Sequence, residues 1–286
     1  MWLVLAAASA FFAGITSVLA KLGLRNVDST VATALRTAVV LAFAWALVLA
    51  TGAQSGLRAI PPETWSLLML SGLATGASWL CYFKALQLGD VNRVVPIDKS
   101  STVMAILLAV VLFGEGLSVA GAAGVVLISA GTLAMIERKD VDEVRDARSG
   151  WLLFAIGSAV FAALTSILGK AGMEGVDSNL GTAIRTAVVL AMSWVMVIVS
   201  SKRAEIRKVR RSDVAFIVLS GLATGASWLC FFKALQEGPA SIVVPIDKLS
   251  ILVAILLSFV VLKERLSRKA ALGLAGIVIG TMLMLL

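Results

Sequence analysis

Histidine is absent from this chain, and cysteine occurs only at Cys81 and Cys230, each inside an apolar stretch. A zinc site and a disulfide framework therefore find no support, and neither a metal nor a cofactor is expected. No Gly-x-x-x-x-Gly-Lys run is present to cradle a nucleotide, so nothing couples ATP. Without a histidine, a nucleophile–base arrangement or metal-ligand spacing, an enzyme is the least favoured class. Charge is scarce as well, at 15% of residues against about 25% in an average soluble domain.

Apolar residues take that place, at 59% of the chain and a mean hydropathy of +0.98. Residues 30–52 and 92–112 reach the roughly 20 residues needed to cross a ~30 Å hydrocarbon core. Residues 2–22 form a similar span with no basic n-region and no small-residue cleavage site. Their pattern recurs at Trp151, so this span is expected to stay in the mature protein and not to be removed as a signal peptide. A formal charge of +8 would suggest nucleic acid for a soluble protein. Here Lys and Arg cluster in loops beside apolar spans, where they set orientation, and no nucleic-acid partner is expected.

The chain repeats itself. Ser71-Gly-Leu-Ala-Thr-Gly-Ala-Ser-Trp-Leu-Cys81 recurs unchanged as Ser220 to Cys230, an offset of 149 residues that also takes Trp2 to Trp151, Arg36 to Arg185, Lys84 to Lys233, Asp98 to Asp247 and Glu115 to Glu264. No insertion or deletion interrupts it. The division is residues 1–137 as the first repeat, a charged linker at 138–149, and residues 150–286 as the second repeat. Gly, Pro and charge clusters delimit five spans in each half: 2–22, 30–52, 64–87, 93–113 and 117–136, then 151–171, 179–200, 213–236, 242–262 and 268–286. An odd number of spans per half forces the second half to start on the side where the first ended. The expectation is an all-α membrane protein of ten transmembrane helices, arranged as two inverted-topology five-helix repeats around a central cavity. That architecture recurs among transporters.

Lys and Arg in the loops set the orientation. Eighteen of the 21 loop cations follow odd-numbered spans, and only Arg58, Lys170 and Lys233 follow even-numbered ones. Loops after odd spans, the 138–149 linker among them, are thus expected in the cytoplasm, with both termini outside.

Several short patterns recur in both halves. They are a first span of small residues, an arginine in the second span within Ala34-Leu-Arg36 and Ala183-Ile-Arg185, Lys-Ala-Leu closing the third at 84–86 and 233–235, and Gly114-Glu115 or Lys263-Glu-Arg-Leu266 closing the fourth. Together they make the chain resemble an EamA-type member of the drug/metabolite transporter superfamily, over nearly its whole length. The resemblance implies five-plus-five inverted helices and a central cavity lined by the first four helices of each half. It also implies transport of small metabolites, often amino acids or other organic solutes and frequently outward. Two features depart from the family. Val-Val-Pro-Ile-Asp-Lys at 94–99, repeated at 243–248, places an Asp-Lys pair where much of the family is uncharged. Many ten-helix members also keep both termini in the cytoplasm, against the charge pattern here.

Ionisable residues inside a span cost about 2.5–3.5 kcal/mol each at a helix centre on insertion scales, so Arg36, Asp98, Lys99, Arg185, Asp247 and Lys248 need a reason. Arg36 lies roughly 9 Å into its span at 1.5 Å per residue, and Asp98 lies at a similar depth from the same side. The expectation is an Arg36–Asp98 pair near one mouth and an Arg185–Asp247 pair near the other, serving as gates, as solute ligands or as packing alone. Lys84 and Lys233, with Lys21 and Lys170, read first as snorkelling anchors and second as ligands. Trp79 and Trp228, with Tyr82 and Phe231, are placed to stack on a solute or to face lipid. Pro96 and Pro245 read as helix starts, or as distortions beside the Asp-Lys pairs. Gly72-x-x-x-Gly76 and Gly221-x-x-x-Gly225 read as close-packing motifs.

These residues favour a secondary transporter, working as a monomer in the cytoplasmic membrane, for a small polar organic solute that is anionic or zwitterionic. Cationic drugs fit less well, because neither residues 2–22 nor 151–172 contain a carboxylate. The competing readings are a non-transporting assembly or sensor protein and a flippase of a lipid-linked substrate.

Overall fold

The computed structural model describes residues 1–23, 27–88, 94, 97–134, 150–262 and 268–286. Among them there is no strand, and the helices are α1 (Trp2–Gly23), α2 (Ser29–Thr51), α3 (Pro62–Leu88), α4 (Ser101–Phe113), α5 (Val119–Ala134), α6 (Trp151–Gly172), α7 (Ser178–Val199), α8 (Arg211–Glu237), α9 (Ala240–Lys248), α10 (Ser250–Leu262) and α11 (Arg268–Leu283). Seven stretches are long and apolar enough to cross a membrane: α1, α2, α3, α6, α7, α8, and the run Ala240–Val260 that α9 and α10 share. Val119–Ala134 and Ala271–Leu283 are shorter apolar helices. The predicted linker at 138–149 lies outside the described residues, as do Pro96 and Glu264.

The helix starts carry their own signals. Asp28 accepts hydrogen bonds from the backbone N–H groups of Thr30 and Val31 at the head of α2, and Asp177 does the same for Asn179 and Leu180 at the head of α7. These N-caps satisfy donors that a helix leaves open. Gly52 ends α2 at φ 72°, a left-handed conformation that glycine adopts without penalty.

The most extensive helix contacts cross between the halves and repeat at the 149-residue offset. α3 packs on α6 and α7, as α8 packs on α1 and α2. A side-chain carbon at Gly72 would come within 2.7 Å of the Arg185 carbonyl and of Val188; at Gly221 it would come within 2.6 Å of Val39. The two Gly-x-x-x-Gly runs are therefore places where helices of opposite halves touch closely. α5 packs on α11 in the same way, and a Cβ at Gly124 or Gly131 would lie 2.5 Å from the carbonyl of Gly280 or Gly273.

The ninth predicted span differs from expectation. Its helix starts at Ala240, so Pro245 sits inside α9 instead of in the first turn. Proline cannot donate to the carbonyl four residues back. The helix is interrupted at Leu249, directly after Asp247 and Lys248, before α10 begins at Ser250.

Candidate functional site

Small hydroxyl side chains on helical spacing line the contact between halves. Ser71, Thr75 and Ser78 lie at i, i+4 and i+7 on α3, one face of the helix. Ser9 and Thr16 lie seven apart on α1. Together with their repeat counterparts they build two equivalent clusters. In one, Ser9 donates to Asp247 at 2.7 Å and lies 3.2 Å from Ser227. In the other, Ser158 donates to Asp98 at 2.7 Å and lies 3.4 Å from Ser78. Each Asp is thus held by a serine of the opposite half. The threonines repeat the pattern, with Thr75–Thr165 at 3.2 Å and Thr224–Thr16 at 3.3 Å.

The two arginines break this symmetry. Arg185 is 1% exposed. It donates through Nε to Ser71 at 3.3 Å and through Nη2 to Thr75 at 2.8 Å. Its guanidinium lies 4.0 Å from the Phe232 ring centre and 5.3 Å from that of Trp228, within range for cation–π attraction. Nη1 is buried and has no hydrogen-bond partner among the described residues. Arg36 carries none of the corresponding bonds among the described residues. It faces a cavity of about 210 Å³ shared with Phe83 and Ser220, the counterparts of Phe232 and Ser71, and the Ser220 hydroxyl is buried without a partner.

The expected Arg–Asp pairs are therefore not formed here: among the described residues no ion pair within 4.0 Å joins Arg36 to Asp98 or Arg185 to Asp247. Hydroxyls hold Asp98, Asp247 and Arg185 instead. A neutral hydroxyl donates to a carboxylate or accepts from a guanidinium without fixing a second charge beside it, so each partner stays separable. Lys99 approaches Asp98 only at 4.0 Å. Lys248 and Lys99 both line a cavity of about 420 Å³ between α1, α5, α10 and α11.

A central cavity of about 300 Å³ joins the parts. Its lining includes Thr75, Ser78, Trp79, Thr165, Arg185, Ser227, Trp228, Phe231, Asp247 and Lys248. Trp79 and Trp228 thus both line this cavity. A larger cavity of about 670 Å³ is lined by Asp28, Lys84, Phe154 and Lys202 near the heads of α2 and α6. Burial alone would raise the Asp28 carboxyl, but hydrogen bonds from Lys202, Thr30 and Val31 and the Lys202 charge hold it below the usual carboxylate range.

The opposite end is closed by a polar brace. Glu115 accepts from the backbone N–H groups of Ala240 and Ser241 at 2.7 Å each, at the start of α9, where a helix favours negative charge. Burial pushes the Glu115 carboxyl up, yet the bonds from Ser241 and Ala240 and the Lys170 charge outweigh it and keep it below its ordinary value. Lys170 pairs with Glu115 at 3.3 Å and donates to the carbonyls of Leu235 and Gly238. It is a half-buried tie and not the snorkelling anchor the sequence suggested. Lys233 pairs with Glu237 at 3.2 Å on the surface of α8, whereas Lys84 is exposed. The side chain of Lys21 lies outside the described set.

A model of the EamA-like transporter family matches residues 1–136 and again residues 149–286. The chain belongs to the EamA-like transporter family. An "uncharacterized transporter in cobO 3'region" of Sinorhizobium sp is 48% identical over 134 residues, 47% of this chain and 95% of that relative. That relative is little longer than one repeat. A solved crystal structure aligns with a TM-score of 0.78 at 21% identity, over 97% of this chain and 95% of the other, and supports the fold. As a multi-pass membrane transporter of this family, the protein keeps its in-span charges where two EamA repeats meet. The serines, threonines and Glu115 that hold those charges were not singled out by sequence reasoning. Their signal was present in Ser71, Thr75 and Ser78, a polar stripe at helical spacing in an apolar span, duplicated at 220, 224 and 227.

Proposed function

We propose that the protein is a secondary transporter that moves a small polar organic metabolite, such as an amino acid or organic anion, outward across the cytoplasmic membrane by alternating access. In this reading ten spans form two inverted five-helix repeats, 1–137 and 150–286, joined by a cytoplasmic linker. Both termini lie outside, and the monomer is the working unit. Arg36, Asp98, Lys99, Arg185, Asp247 and Lys248 act as gating or solute-contacting groups.

The observation that carries the reading is the unequal use of equivalent residues. Arg185 is latched onto Ser71 and Thr75, while Arg36 faces Ser220 across an open cavity. Two equivalent repeats in different states are what an exchange between inverted halves requires. The Arg185 end is also sealed by the Lys170–Glu115 brace and by Gln236, which donates to the carbonyls of Met173 and Val176. With the loop cations placing the Arg36 end in the cytoplasm, this state is inward-open.

The test is counterflow of labelled amino acids and organic acids in liposomes holding the purified protein, with and without a pH gradient. Saturable exchange of at least one solute is expected. If folded protein exchanges none of them, the reading gives way to a non-transporting assembly or sensor role. Movement of lipid-linked substrates alone would instead make it a flippase.

A further inference from the structure

The central cavity holds a charged group that is not fully used. Arg185, one of the residues lining that cavity, spends Nε and Nη2 on Ser71 and Thr75, while its Nη1 is buried with no hydrogen-bond partner among the described residues. A buried guanidinium nitrogen with free N–H groups is a strong donor for an anionic oxygen. Among the described residues, the charges lining the cavity are Arg185, Lys248 and Asp247, which leave it one positive charge in excess. Asp247 is engaged by Ser9. A solute with a single negative charge balances the cavity, a zwitterion leaves the excess, and a phosphate monoester overshoots it. A volume of about 300 Å³ is at the lower end for ligand pockets, which excludes a long acyl chain. Trp228 and Phe232 already cover the guanidinium, so Trp79 and Phe231 remain as apolar walls.

From these features we infer that the transported solute is a small organic monoanion, its carboxylate bound to Nη1 of Arg185 and its apolar body set against Trp79 and Phe231. This rests on the transporter reading above and names its substrate class. The direct test is binding to the purified full-length protein in lipid nanodiscs at pH 8, using benzoate, its neutral analogue benzamide, and phenyl phosphate as a dianion. Benzoate is expected to bind at least 10-fold more tightly than either of the others. Because Arg185→Gln removes a buried latch and can fail to fold, the deciding variant is Asp247→Asn. It raises the excess to two charges and is expected to shift the preference at least 10-fold toward phenyl phosphate. Equal binding of benzoate and benzamide, or an unchanged order in Asp247→Asn, would overturn the inference. The two readings fail separately. Protein that exchanges neutral solutes as fast as benzoate in liposomes keeps the transport reading and loses the monoanion. Protein that binds benzoate with the expected order but exchanges nothing keeps the site and loses the transport reading.

Discussion

Replacing Thr75 with alanine removes the hydroxyl that accepts from Arg185 Nη2 at 2.8 Å. Hydrogen bonds to charged groups contribute about 1.5–3 kcal/mol, a factor of roughly 10 to 150 in an equilibrium constant. The bond exists in the state with the Arg185 end closed, so its loss should shift the population toward opening that end. The equivalent change, Thr224→Ala, removes a hydroxyl whose bonds are to Thr16 and to the Ser220 carbonyl, with no contact to Arg36. The arginine bond it would make belongs only to the state in which Arg36 latches, so the shift should have the opposite sign. A cysteine placed at Ala13, in the central cavity, on a background lacking Cys81 and Cys230, reads the result through a membrane-impermeant maleimide. Labelling from outside intact cells should rise in Thr75→Ala and fall in Thr224→Ala. Shifts of the same sign in both variants would refute the exchange of arginine latches.

Three further outcomes are expected. Glu115 and Asp28 both titrate below their unfolded values, so the stability they contribute is fully present above about pH 4.3 and is lost as pH falls through their folded values; Glu115→Gln should flatten the acid side of a melting-temperature profile in detergent. Gly131→Val forces a side chain to within 2.5 Å of the Gly273 carbonyl, and should destabilise the α5–α11 contact by at least the roughly 1–3 kcal/mol of overpacking, read as a lower thermal midpoint. Cysteines placed between Lys202 and Arg211 should be labelled only from the cytoplasmic side, and selective labelling from outside would reverse the orientation.

Much of the fold was legible because the repeat is written in the sequence, and helix signals such as Asp28 and Asp177 stand at the right positions. The in-span charges were legible for the same reason, since Arg36, Asp98, Arg185 and Asp247 interrupt apolar runs. Their partners were not. Depth along a span fixes height in the membrane but not azimuth, so a matched depth for Arg36 and Asp98 did not reveal that Ser158, 60 residues away, holds Asp98. Glu115 looked like a span terminator because its contacts lie 125 and 126 residues on, at the start of α9. The break at Leu249 follows Pro245, whose position inside the helix depended on a start at Ala240 that a predicted start at 242 missed.

Under the proposed exchange, the latch residues that match between the halves also limit how far the two end states can differ in energy. The latch residues Ser71, Thr75, Trp228 and Phe232 around Arg185 have sequence counterparts of the same type in Ser220, Thr224, Trp79 and Phe83, at the offset that takes Arg36 to Arg185. The latch therefore contributes equally to either state and cancels in the difference, and the pairing types at Lys170 and Glu115 are repeated at Lys21 and Glu264. What remains are interactions without a copy. The Asp28–Lys202 bridge, 3.1 Å long, is one, because the residue 149 positions before Lys202 is Ala53. A partly exposed bridge contributes about 0–1 kcal/mol, so it biases the equilibrium by roughly fivefold at most. A bias of that size from one bridge is within what a solute with modest differential affinity can overcome, which is the energetic condition a carrier must meet to turn over.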